Sequence, residues 1–178
     1  MSEVNSNIPK RPPVDPVVQA ILFGDVAAVE KALAEGRDVN GVDGEKNSLL
    51  HFACWAGRAP MVDMLLARGA DASAVNGKGR TPLHAAVNPF APWLPDVETV
   101  RVASLLISRW VQVDAKDGQG KTPLHVAAFN GNREVVQFLI AHGADADTRD
   151  GDHQRPLDIC GNRQAIVPIL HAAMRPGI

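Results

Sequence analysis

The sequence predicts an all-α repeat protein, a solenoid of five helix-turn-helix units with a capping unit at each end. Three observations carry this expectation. The tetrapeptide Thr-Pro-Leu-His occurs at residues 81–84 and again at 122–125, each time followed by small apolar residues. Ser48-Leu49-Leu50-His51 begins a similar unit 33 residues before Thr81 (81 − 48 = 33), and Arg155-Pro156-Leu157-Asp158 begins one 33 residues after Thr122 (155 − 122 = 33). Glycines keep the same phase: Gly24 and Gly36, Gly57 and Gly69, and Gly131 and Gly143 are each 12 apart.

The units fall at about 16–45, 46–78, 79–119, 120–152 and 153–174, after a polar, proline-containing tail over 1–15 that reads as flexible. The fourth unit displays the logic most plainly. Thr122 suits an N-cap, and Pro123 suits the first helical turn, where its missing N–H is not needed. Ala127 and Ala128 let the neighbouring unit approach, and Gly131 allows the chain to reverse. Glu134 to Ile140 carries an apolar stripe at helical spacing, and Gly143 stands where a left-handed residue ends a helix. One such unit cannot bury its apolar face alone, whereas a stack of them shares a continuous core. The first unit keeps the glycines but lacks the tetrapeptide and places Gln19 in its inner helix, as a cap would. The last has Asp158 in the histidine slot, and Pro168 is expected to kink its second helix.

Motif, spacing, glycine phase and the tails Gly69-Ala70-Asp71-Ala72 and Gly143-Ala144-Asp145-Ala146 together resemble the ankyrin repeat family, from about Pro16 to Met174. The resemblance implies a β-turn finger before each pair of antiparallel helices. It also implies that His51, His84 and His125, in one slot of successive repeats, tie neighbouring loops together rather than bind metal. A metal site needs several ligand atoms within about 2.1 Å of one ion, and stacked repeats hold these rings a helix layer apart. His142, His153 and His171 have no partner at ligand spacing, so neither a metal nor another cofactor is expected.

Cys54 and Cys160 fall in small-residue slots of inner helices three repeats apart. With helix layers roughly 8–10 Å apart, they lie beyond disulfide reach and are expected to be buried thiols. Enzyme signatures are absent: no Gly-x-Ser-x-Gly elbow, no phosphate loop and no His-Glu-x-x-His. Gly77-Lys78-Gly79-Arg80-Thr81 resembles a phosphate loop only superficially, because the repeat accounts for both glycines. A non-enzymatic protein is therefore expected.

Function is expected on the concave side, which the resemblance assigns to the fingers and to the last residues of the inner helices. The finger set is Val42, Glu45 and Asn47, then Val75, Lys78 and Arg80, then Lys116, Gln119 and Lys121, then Arg149, Asp152 and Gln154. The inner-helix set is Trp55 and Ala56, Val87 and Asn88, and Phe129 and Asn130. Lys78, Arg80, Lys116, Lys121 and Arg149 would form a basic stripe suited to an acidic protein surface. Asp117, Asp150 and Asp152 beside them allow the plainer reading that the tips are simply solvated. Only 4% of residues are aromatic, yet Trp55 and Phe129 occupy two of these slots, and large aromatics are typical binding anchors.

The interval from Thr81 to Thr122 is 41 residues, 8 longer than the others. Glycine phase places the excess at Asn88-Pro89-Phe90-Ala91-Pro92-Trp93-Leu94-Pro95, where Phe90 and Trp93 would either extend the aromatic patch or cover their own repeat, and Asp96 can cap the helix that follows. Trp110 stands where the other repeats have glycine; it is expected to end its helix differently and to pack on a neighbour.

The formal net charge of −2 argues neither for nor against a charged partner, but a modest basic stripe on a net acidic chain speaks against nucleic acid as the main one. No stretch approaches the ~18 apolar residues of a membrane span. The expected molecule is a cytoplasmic monomer that binds a protein partner as a scaffold or inhibitor. Within that reading it could occlude an enzyme in the manner of an immunity protein. The different class is a nucleic-acid or small-ligand binder.

Overall fold

A computed structural model describes residues 15–87, 96–161 and 163–174. Ten helices occur among these residues: α1 (Pro16–Phe23), α2 (Val26–Ala34), α3 (Leu49–Trp55), α4 (Ala59–Ala67), α5 (Pro82–Val87), α6 (Asp96–Ile107), α7 (Pro123–Asn130), α8 (Arg133–Ala141), α9 (Pro156–Ile159) and α10 (Val167–Ala173). The expected tail and insertion, including Asn88, Phe90 and Trp93, lie outside the described residues except for Asp15.

Odd-numbered helices stack on one another to form the inner layer, and even-numbered helices stack to form the outer one. Each inner helix also packs on the outer helix of its own repeat. The core runs through both layers: Ile21, Leu50, Leu83 and Leu124 from inner helices and Val29, Leu65, Leu106, Leu139 and Leu170 from outer ones are fully buried. Each such side chain stabilises the stack by about 2 kcal/mol relative to an exposed one. Ala53, Ala86 and Ala127 are buried in the small-residue slots where successive inner helices approach.

Caps define the helix ends. Asp15 Oδ1 accepts from Val17 N–H at the start of α1, and Asp25 Oδ1 accepts from Ala28 N–H at the start of α2. Asp15 also pairs with Arg37. Gly24 and Gly131 end α1 and α7 in the left-handed conformation, and Gly143 is left-handed after α8.

Two expectations fail at the ends of outer helices. Pro168 does not kink a helix, because α10 begins only at Val167 and the proline sits in its first turn, where no backbone donor is lost. Trp110 neither packs on a neighbour nor redirects the chain. It takes the left-handed conformation of the glycines it replaces, with φ +59°, and it is 96% exposed. Its N–H donates to Ile107 O, so the turn closes as in the other repeats.

Candidate protein-binding surface

Each finger is built around one polar side chain. Asp43 Oδ1 accepts from the N–H groups of Glu45 and Asn47, and Asn76 Oδ1 from those of Lys78 and Arg80. Asp117 Oδ1 does the same for Gln119 and Lys121, and Asp150 Oδ1 for Asp152 and Gln154. Asp117 and Asp150 are buried and so belong to the finger framework, not to a solvated tip; Asp152 is exposed. Burial opposes ionisation of Asp117, but the N–H groups of Gln119 and Lys121 and the Arg80 guanidinium outweigh it and hold the carboxyl below its usual range.

Successive fingers are strapped edge to edge. Gly77 N–H donates to Glu45 O at 2.7 Å, Gly118 N–H to Lys78 O at 2.8 Å, and Gly151 N–H to Gln119 O at 2.8 Å. The approach is close enough to require glycine at position 120, where φ is +75° and a Cβ would come within 2.7 Å of Gly151 N.

The histidines bolt this ladder to the inner helices. His51 Nε2–H donates to Arg80 O at 2.9 Å, His84 Nε2–H to Lys121 O at 2.9 Å and His125 Nε2–H to Gln154 O at 3.0 Å. Each Nδ1 faces the hydroxyl and backbone N–H of its own N-cap, Ser48, Thr81 or Thr122. With Nε2 donating to a carbonyl, Nδ1 of the neutral ring is the acceptor. Burial pushes all three rings below the ordinary value of 6.5, against the opposing pull of the carbonyls. In the last repeat Asp158 accepts from Arg155 N–H and pairs with the Arg155 side chain.

Between fingers and inner helices lie two hollows. One of about 720 Å³ is lined by Asp43, Glu45, Phe52, Trp55, Lys78 and Arg80 among others. The second, of about 450 Å³, is lined by Arg80, Lys121, Val126, Phe129, Asn130 and Ile159 with His125 and Gln154. Six of the expected site residues therefore share this face: Trp55, Lys78, Arg80, Lys121, Phe129 and Asn130.

The remaining cations lie elsewhere. Lys116 lines a separate hollow of about 230 Å³ with Ala72, Val75, Val111 and Gln112, and its ammonium donates to Arg149 O. Arg149 in turn donates to His153 O. The basic residues thus divide, with Lys78, Arg80 and Lys121 in the concave hollows and Lys116 and Arg149 outside both.

Inner-helix ends also sort themselves. Phe129 is 63% exposed, with the Arg163 guanidinium 5.9 Å from its ring centroid, and Trp55 is half-buried. Val87, expected on the surface, is fully buried, since α5 ends there and its side chain turns into the core. Asn130 donates from Nδ2 to Val87 O, as Arg58 does to Leu22 O and Arg163 to Ala128 O. These three side chains cap the last carbonyls of the preceding repeat's inner helix. Sequence reasoning missed Phe23, which is 82% exposed at the end of α1. Shifting the first repeat by one period places it on Ala56 (23 + 33 = 56), a position the expected set included.

Among the described residues no three His, Cys, Asp or Glu side chains are placed to hold a metal ion. Cys54 and Cys160 are unbridged and buried, and burial pushes both thiols up, away from the reactive thiolate. No described helix is long and apolar enough to cross a membrane.

Comparison with protein families matches residues 32–86 to a model of ankyrin repeats in many copies, and residues 96–175 to one of ankyrin repeats in three copies. The chain belongs to the ankyrin repeat family. Ankyrin repeats are generally protein–protein interaction modules and typically non-catalytic. A search of curated proteins found no match to the chain.

Proposed function

We propose that this protein is a non-catalytic binding module that docks a protein partner on its concave face and acts by scaffolding or by covering the partner's own surface. The observation that carries the reading is the pair of adjoining hollows. They share Arg80 and draw Trp55 and Lys78 from the second repeat and Lys121 and Phe129 from the fourth onto one face. Aromatic and arginine side chains at partly enclosed positions are the usual anchors of protein interfaces. The hydrogen-bonded ladder of fingers favours the same reading, because a preorganised surface loses little freedom on binding.

The test is affinity purification with the parent chain and with the Trp55→Ala/Phe129→Ala double variant, followed by mass spectrometry. A partner retained by the parent and lost by a double variant that still shows a cooperative helical melt supports the proposal. Equal recovery by both would refute it.

A further inference from the structure

The two hollows of the concave face differ in charge. The lining of the larger includes the carboxylates of Asp43 and Glu45 as well as Lys78 and Arg80. The smaller, of about 450 Å³, has Arg80 and Lys121 over a floor of Val126, Phe129 and Ile159, and no carboxylate lines it. Arg163, beside the Phe129 ring, adds a third positive charge at its edge.

Both lining cations have hydrogen-bonding capacity to spare. Arg80 gives Nε to Asp117 at 3.3 Å, which fixes the side chain, and its terminal guanidinium nitrogens have no partner among the described residues. The Lys121 ammonium makes a single long bond of 3.4 Å to Gln119. Anchored planar donors and an underused ammonium suit a carboxylate, to which charge-assisted bonds are about twice as strong as neutral ones. The floor suits an apolar side chain, and the volume is that of a pocket for one small group, within the range of about 300–1,000 Å³. Two cations over an apolar floor do not make the continuous phosphate track that nucleic acids require.

We infer that this hollow takes an apolar side chain from an extended acidic segment of a protein partner, with a neighbouring carboxylate of that segment paired to Arg80 and Lys121. The inference rests on the concave face being the docking surface. It adds what the partner must present there.

Random peptides displayed on phage, selected against the chain, test it; consensus peptides are then synthesised with a fluorophore and titrated by anisotropy. The expected consensus places Asp or Glu next to Leu, Ile or Phe, with affinity falling as salt is raised. Lys121→Glu and Phe129→Ala are each expected to weaken binding by about tenfold or more. Lys31→Glu makes the same charge change on an exposed part of α2 and is expected to alter affinity by less than about twofold. An uncharged or basic consensus, or binding indifferent to Lys121→Glu, overturns the inference. If such peptides still depend on Phe129, the concave-face reading survives alone; if neither variant weakens any selected peptide, both fall. Binding of a fluorescent oligo-dT probe that Lys121→Glu abolishes, with no acidic consensus among peptides, overturns it in favour of nucleic acid.

Discussion

His125 Nε2 lies 3.0 Å from the carbonyl oxygen of Gln154, in the following finger, while its Nδ1 lies 2.8 Å from Thr122 Oγ1 at the start of its own helix. One fully buried ring therefore joins a helix N-terminus to the next repeat. Replacing it with alanine leaves the Gln154 carbonyl and the Thr122 N–H without these partners. His125→Ala is expected to cost about 2 kcal/mol, the usual penalty for orphaning buried polar groups. Urea denaturation measures it, and a midpoint equal to that of the parent would contradict the structural role of the imidazoles.

The same three rings make stability depend on pH. His51, His84 and His125 bind protons less readily folded than unfolded, because burial disfavours the charged ring. Their stabilising contribution is whole above the unfolded value of 6.5 and is lost as pH falls through it toward the depressed folded values. Asp96 works in the opposite sense. Burial and the neighbouring Glu134 push it up to about 6, so its contribution is present below the unfolded value of 3.8 and lost as pH rises through 6. The rings by themselves lower the urea midpoint between pH 7.5 and pH 5, opposed by Asp96 and by Asp114, whose carboxyl burial also pushes up. In Asp96→Asn one opposing contribution is gone, and the fall should be steeper. A fall no steeper in Asp96→Asn than in the parent would contradict the assignment.

Trp110 stands fully exposed in a left-handed conformation that costs a side-chain-bearing residue roughly 1–2 kcal/mol. Trp110→Gly is expected to stabilise the protein by about 1 kcal/mol and to raise its melting temperature by a few degrees. Calorimetry decides, and a lower melting temperature would mean that the indole packs.

Lys121 holds the same place relative to Asp150 that Arg80 holds relative to Asp117 (121 − 80 = 41; 150 − 117 = 33, each one repeat). Arg80 Nε reaches Asp117 Oδ2, whereas Asp150 Oδ2 is buried with no hydrogen-bond partner among the described residues. The longer, forked side chain of Lys121→Arg is expected to reach that oxygen and to add about 1 kcal/mol of stability. An unchanged thermal melt would show that the two sites are not equivalent.

The repeat fold, the capping residues and the histidine slot were legible in the sequence because each rests on local chemistry that recurs every period. Thr122-Pro123 and Gly143 occupy the places that cap and turn preferences assign them. Intrinsic preference argues against a left-handed tryptophan, whereas the packed repeats impose that geometry on the ends of α2, α4, α6 and α8 alike. Pro168 escapes the kink because the helix start at Val167, which no local signal marks, puts the proline in the first turn. At the candidate site, Trp55, Phe129, Lys78, Arg80 and Lys121 followed from their place in the repeat. The separation of Lys116 and Arg149 from them did not, since which side of a finger a residue lines is a tertiary property. Asn130 was read as a surface contact; its bond to Val87 O connects residues 43 apart, which no local pattern announces.

The most direct measurement of the central claim is amide hydrogen exchange on the complex with the partner recovered by affinity purification. Binding to the concave face predicts added protection in the finger segments 43–47, 76–80 and 117–121 and at the ends of α3 and α7, with the outer helices α2, α4, α6 and α8 unchanged. Protection confined to those outer helices would contradict it.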